Sequence, residues 1–86
     1  MDNYYVYLLL SLKDKRTYLG STINLERRII EHNQGKNKST KNRRPLKLIY
    51  SEAYNTLIAA RKREKFLKTK KGRKELSAIF SNLKIN

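Results

Sequence analysis

Hydrophobic positions along the chain change from a block to a spaced pattern. From Tyr4 to Leu12 the sequence reads YYVYLLLSL, an aromatic and aliphatic run whose length favours a strand buried on both faces over a helix. This is the expected central strand. Lys13-Asp14-Lys15 is polar and turn-forming, and Arg16 to Gly20 resumes extended character, so the two segments predict a hairpin. Asn24 then supplies an N-cap, Leu25 to Asn33 a helix with Glu26 in its first turn, and Gly35 a stop. Gly35 to Arg44 is a polar loop, and after Pro45 the segment Leu46 to Glu52 predicts a third strand.

Thr56 or Asn55 caps a longer helix running to about Lys70, with Gly72 as its end. Leu76, Ile79, Phe80 and Leu83 fall at helical spacing in the tail, which predicts a final helix packing back onto the body. No internal repeat is visible. Strand, strand, helix, strand, helix, helix is the order of a small α/β fold: a three-stranded antiparallel sheet flanked by about three helices.

A length of 86 residues with 38% hydrophobic content is enough for one domain, residues 1–86, and too little for two cores. The charge balance sharpens the picture. Lys and Arg number 21 against 7 Asp and Glu, a formal net charge of +14, which points to a polyanionic partner, nucleic acid before membrane. Cysteine is absent, which excludes disulfides, a thiolate nucleophile and Cys-based zinc sites. Met1-Asp2-Asn3 lacks a basic leader and Val6 to Leu10 is too short to span a bilayer, so a soluble, unprocessed cytoplasmic protein is expected.

Helical geometry then narrows the candidates for chemistry. With Leu25 at zero, Ile29 falls at about 40° and Ile30 at about 140°, defining an apolar side, while Arg28 lies at about 300° and His32 at about 340°. Arg28 and His32 thus share a face at the edge of the core, while Arg27, at about 200°, points away; periodicity alone favours the reading in which the pair merely flanks the core in water over one in which it forms a site. In the second long helix, with Leu57 at zero, Glu64 lies at about 340°, inside the stripe formed by Ala60 and Leu67, while the basic residues of that helix point elsewhere. A carboxylate facing a core needs a partner. Two are available: an arginine such as Arg28, which the residues alone favour, or a divalent cation, for which a hard carboxylate oxygen is suited. Tyr4, Tyr5, Tyr50 and Tyr54 read as packing residues with wet hydroxyls. The hairpin can bring Tyr7 and Tyr18 together toward the helix that supplies Arg28 and His32.

The order Val6-Tyr7, then Tyr18-Leu19-Gly20 with Tyr18 eleven residues after Tyr7, then LERRIIEHN, then a glutamate within ARKREKFLK, resembles the GIY-YIG nuclease superfamily, and most closely its small single-domain bacterial members, akin to the nuclease domain of excision-repair and homing endonucleases. The resemblance runs from about Tyr4 to about Glu75. It implies that Tyr7 activates the attacking water and that Tyr18 positions water and phosphate. It further implies that Arg28 and His32 are the helix arginine and histidine of the site, and that Glu64 is a metal ligand rather than an ion-pair partner, holding one Mg²⁺ or Mn²⁺. The first motif here reads Tyr5-Val6-Tyr7, with the family's glycine and isoleucine replaced.

Metal-dependent hydrolysis of a nucleic-acid phosphodiester, DNA before RNA and in repair or recombination, is therefore the leading expectation, leaving a 5′ phosphate and a 3′ hydroxyl. A phenol titrates at about 10, so Tyr7 can act as a base only where its surroundings favour the phenolate. Lys36, Lys38, Thr40, Lys41, Arg43, Arg44, Arg61, Lys65 and Lys68 are the candidate nucleic-acid contacts. A partner protein is the expected source of specificity. A catalytically degenerate basic nucleic-acid-binding protein is the second reading, although a core-facing Glu64 would repel phosphate. A small ribosome-associated protein fits the charge but explains neither the tyrosine spacing nor Glu64.

Overall fold

A computed structural model describes residues 3–83 and contains β1 (Tyr4–Ser11), β2 (Thr17–Thr22), α1 (Leu25–Asn33), β3 (Leu46–Tyr54), α2 (Leu57–Leu67) and α3 (Lys70–Asn82). A short 3₁₀ turn, Lys41–Arg43, lies within the loop before β3. The sheet order is β2-β1-β3, both pairings antiparallel. The hydrophobic block Tyr4–Ser11 is therefore the central strand, with every residue from Val6 to Ser11 buried. It needs apolar side chains on both faces because helices cover both. On one face Tyr7, Leu9 and Leu46 pack with Tyr18, Leu48, and Leu25 and Ile29 of α1. On the other, Val6 packs with Ala60 and Leu67 of α2, Leu76 of α3, Tyr4, Leu19 and Tyr54. No helix among the described residues is long and apolar enough to cross a membrane.

The helix starts follow the capping logic. Asn24 accepts from the Arg27 amide and Thr56, not Asn55, accepts from that of Ala59, each satisfying an amide that the first turn leaves unpaired. Four expectations fail: the second strand runs past Gly20 to Thr22, because Ser21 and Thr22 still pair with Val6 and Tyr5 of β1, and the other three concern β3, Ile30 and Gly72. The third strand continues through Ala53 to Tyr54, because its last residues still pair with Tyr4 and Tyr5 of β1. Ile30 does not belong to the apolar side but stands 51% exposed; α1 lies on the sheet along the narrower stripe of Leu25 and Ile29.

Gly72 does not end α2 either. That helix stops at Leu67, Thr69 caps α3 by accepting from the Gly72 amide, and Gly72 sits buried in the first turn of α3. A Cβ at Gly72 would fall 1.9 Å from the Phe66 carbonyl oxygen, so glycine is required for α3 to begin directly against the end of α2.

Between β3 and the two C-terminal helices lies a polar network that the tyrosines' expected wet hydroxyls do not anticipate. Arg63 holds Glu52 through Nε at 2.8 Å and Nη2 at 3.1 Å and also pairs with Glu75, while the hydroxyls of Tyr50 and Tyr54 each donate to Glu52 at 2.6 Å. Burial opposes ionisation of Glu52, but the Arg63 guanidinium and the two phenols outweigh it and hold the carboxyl at about 2, below its ordinary 4.5. A depressed carboxylate contributes stability above its unfolded value and loses it as pH falls toward the folded one. Wild type should therefore lose about 2–3 kcal/mol between about pH 4.5 and 2 from this residue. Acid unfolding followed by circular dichroism should show Arg63→Gln melting at higher pH than wild type.

Candidate active site

The antiparallel register sets Tyr7 opposite Gly20 and Leu9 opposite Tyr18, which puts both tyrosines on the α1 face of the sheet. The Tyr7 ring lies over Gly20, where an added Cβ would come within 2.5 Å of its hydroxyl oxygen; only glycine leaves the phenol this path. One turn of α1 brings Arg28 and His32 to the same place. The Tyr7 hydroxyl is 2.9 Å from His32 Nε2, and the Tyr18 ring centroid lies 6.5 Å from that of Tyr7 and 5.2 Å from that of His32. The Arg28 guanidinium sits beside the Tyr7 phenol, and each favours the charged form of the other.

Burial nevertheless dominates at Tyr7. Desolvation raises its pKa above the ordinary phenol value, Tyr18 and Glu64 add to the rise, and Arg28 offsets it only in part. The cationic surroundings thus do not by themselves produce a phenolate, contrary to the bias expected from charge alone. His32 is wholly buried, and burial, reinforced by Arg28, lowers its pKa and keeps the ring neutral. Arg28 reaches Glu31 through Nη1 at 3.4 Å. Its Nε is buried with no hydrogen-bond partner among the described residues, a donor with capacity left for a further acceptor.

Glu64 approaches from the other face of the sheet. Its Oε1 accepts from Ser21 Oγ at 2.5 Å and its Oε2 pairs with Lys68 Nζ at 2.7 Å. Ser21 pairs with Val6, so its side chain points to the α2 side, next to the Gly20 over which Tyr7 lies. The two halves of the site thus meet at the outer strand β2, and the Glu64 charge is felt at Tyr7. Arg28 is not its ion-pair partner. Lys68 is, because residues four apart share a helix face and a lysine stem can reach back one turn. Burial opposes the charge on Glu64, but Lys68 and Ser21 prevail and its pKa lies below the ordinary value.

The loop after α1 is built back onto this cluster. Asn33 exchanges two hydrogen bonds with the Leu46 backbone, 2.9 Å and 2.8 Å, fastening the end of α1 to β3. Ser11, fully buried, donates to the Arg43 carbonyl at 2.6 Å. Thr40 is also fully buried, with Oγ1 2.7 Å from His32 Nδ1. It therefore cannot contact nucleic acid at the surface, as its position in a basic loop suggests. Arg43 is engaged as well, with Asp14 at 2.8 Å and with the Thr17 carbonyl. Lys36, Lys38, Lys41, Arg44, Arg61 and Lys65 are exposed.

Two concavities flank the cluster. One, of about 350 Å³, is lined by Arg28, Glu31, His32, Lys36, Asn37 and Lys38. A larger cleft of about 890 Å³ runs between the hairpin and α3, and its lining includes Arg16, Tyr18, Lys68 and Arg73. Arg16 lines this cleft although neither periodicity nor motif marks it in the sequence; its place at the foot of the strand that carries Tyr18 is the one signal for it.

Residues 3–77 match the family model described as the GIY-YIG catalytic domain. A UPF0213 protein of Staphylococcus saprophyticus is 42% identical over 80 residues, 92% of this chain and 96% of that protein. A UPF0213 protein of Syntrophus aciditrophicus is 42% identical over 84 residues, 95% of each chain. The solution NMR structure of a UPF0213 protein from Bacillus halodurans superposes with a TM-score of 0.53 at 32% identity, covering 90% of this chain and 84% of that one. With its tyrosines, helix arginine and histidine gathered at β2 and the match spanning all of these positions, the chain belongs to the GIY-YIG family.

Proposed function

We propose that the protein is an endonuclease that hydrolyses nucleic-acid phosphodiester bonds with the help of one divalent cation, acting on DNA in preference to RNA. The observation that carries this reading is the convergence of an unpartnered Arg28 Nε, the Tyr7 phenol and the His32 ring beside a basic surface. A binder needs cations; it does not need a buried phenol and imidazole in contact. Arg28 would neutralise the non-bridging phosphate oxygens through donors already in place. Tyr7, oriented by His32, would take a proton from the attacking water, and Tyr18 would hold the phosphate in line. The bond from water oxygen to phosphorus forms as the bond to the 3′ oxygen breaks, leaving a 5′ phosphate and a 3′ hydroxyl.

Glu64 would hold the cation. Among the described residues no three His, Cys, Asp or Glu side chains gather as a closed metal site, which suits Mg²⁺ or Mn²⁺, ions that retain several waters and need only one or two carboxylates. Bound there, the ion would supply positive charge to the phosphate and the leaving oxygen. One observation favours the rival reading, a basic binder that does not cut: Lys68 occupies Glu64 Oε2. That lysine is 55% exposed, so water readily replaces it as a partner.

Incubation with supercoiled plasmid, branched DNA and RNA in Mg²⁺ or Mn²⁺ tests the proposal, and the adjacent arginines supply the control. Arg28→Ala should reduce cleavage by ~10²-fold or more. Arg27→Ala should stay within a few-fold, since the Arg27 side chain is 61% exposed and, among the described residues, pairs with Glu31 alone, at 3.8 Å. Equal loss in both, with folding intact, would reject the site. No metal-dependent cleavage of any of the three substrates would reject the enzyme.

A further inference from the structure

Thr40, His32 and Tyr7 form a row of three buried groups joined by two hydrogen bonds, Thr40 Oγ1 to Nδ1 and Nε2 to the Tyr7 hydroxyl. In their neutral forms these groups carry three mobile hydrogens for two links, so one hydrogen must point out of an end of the row. If Tyr7 donates to Nε2, then Nδ1–H donates to Thr40 and the Thr40 hydroxyl hydrogen is the odd one. Nothing receives it: among the described residues Thr40 Oγ1 has no other hydrogen-bond partner, the side chain is wholly buried, and the residue's own amide and carbonyl are already engaged with Asn37 and Arg43. If Thr40 donates to Nδ1, then Nε2–H donates to Tyr7, and the odd hydrogen lies on the phenol beside Arg28; the guanidinium, a donor only, does not receive it, but a phenolic hydrogen, unlike that of a threonine hydroxyl, can be lost to a base. Loss of that one hydrogen leaves every remaining one paired, with the Nε2–H and the guanidinium both turned toward the phenolate oxygen.

We infer that Thr40 is a positioning residue whose hydroxyl holds His32 as the Nε2–H tautomer, making the histidine a hydrogen-bond donor to Tyr7 rather than the base that deprotonates it. This rests on the nuclease reading for its catalytic consequence but not for the tautomer itself. The proton lost from Tyr7 passes outward to solvent, and the phenolate then accepts one from the attacking water. The charged and titratable groups facing Tyr7 are Tyr18 from β2, Arg28 and His32 from α1 and Glu64 from α2, and those facing His32 are Tyr7 from β1, Tyr18 from β2, and Arg28 and Glu31 from α1.

Nitrogen-15 spectra of the histidine-labelled full chain read the tautomer without substrate. His32 should show a protonated Nε2 and an unprotonated Nδ1 at neutral pH; a protonated Nδ1 would overturn the inference. Thr40→Val, which keeps the shape and removes the donor, should move the Nδ1 resonance. It should also shift both the Tyr7 titration, followed at ¹³Cζ, and the cleavage profile by about one pH unit to the alkaline side. Thr40→Ser should return all three toward wild type. A Thr40→Val protein that loses only melting temperature, with the Tyr7 titration unmoved, would reduce Thr40 to packing and reject the role. Should Thr40→Val fail to fold, the wild-type spectrum still decides. The Nε2–H tautomer in a protein that cuts nothing would uphold the role of Thr40 in fixing His32 and count against the nuclease.

Discussion

Glu64→Gln should abolish metal-dependent cleavage, by ~10³-fold or more, while leaving nucleic-acid affinity unchanged or slightly higher. The amide keeps the size of the side chain and can still accept from Ser21, so the local packing survives. What disappears is the anionic oxygen that a hard cation requires and that repels phosphate. Stability separates this outcome from a structural ion pair. Were Glu64 paired with a buried arginine, removing its charge would cost on the order of 3–5 kcal/mol. Its partner is instead Lys68, which is 55% exposed, and breaking such a pair costs ~1 kcal/mol or less. Thermal melting with and without Mn²⁺ should therefore show a metal-dependent rise in wild type, none in Glu64→Gln, and nearly equal melting without metal. A metal-insensitive wild type together with a variant that melts far earlier would remove Glu64 from the site.

Tyr7→Phe should lower turnover by ~10²-fold or more. Its structural cost is not zero, because the hydroxyl removed is the partner of the buried His32 Nε2 and leaving that atom unpaired costs about 1–3 kcal/mol. Melting should thus fall modestly while cleavage nearly vanishes. The pH dependence supplies a second readout. Since burial raises the Tyr7 pKa above the ordinary phenol value of 10.0, the basic form is the minor one at neutral pH and grows with pH. The logarithm of the wild-type rate should climb by about one per pH unit from neutrality upward, and in Tyr7→Phe that slope should be absent. A slope shared by both proteins would assign the work to hydroxide rather than to Tyr7.

The candidate site was legible only where its members obey local rules. Arg28 could be separated from Arg27 because 100° per residue makes adjacent side chains diverge, and the structure leaves Arg28 half-buried and Arg27 exposed. Glu64 could be picked out because it interrupts an apolar stripe, but not its partner: on the same wheel Lys68 falls at about 20°, outside that stripe. The wheel describes where a side chain leaves the backbone, whereas a lysine ammonium is placed by a long flexible stem. Ile30 misled in the opposite sense, since an apolar residue need not be buried when the sheet covers only a narrow stripe of the helix. Thr40 and Ser21 carried no periodic signal that points to a partner.

By itself, then, the sequence determined the strand and helix order, the central place of Tyr4–Ser11, the Asn24 cap with a second cap narrowed to Asn55 or Thr56, and the placing of Arg28 with His32 on one face. Each of these follows from side-chain periodicity, turn chemistry or the satisfaction of nearby backbone amides, all settled within a few residues of chain. Tertiary structure alone decided that Tyr7 meets His32 25 residues away, that Ser21 meets Glu64 43 residues away, and that Thr40 turns inward instead of toward a phosphate. These contacts depend on how three strands register and how helices seat on two faces of one sheet, and a shift of one residue in either would send each of those side chains to the opposite side. The raised pKa of Tyr7 belongs to the same class, because it expresses how much water the finished fold excludes from one phenol.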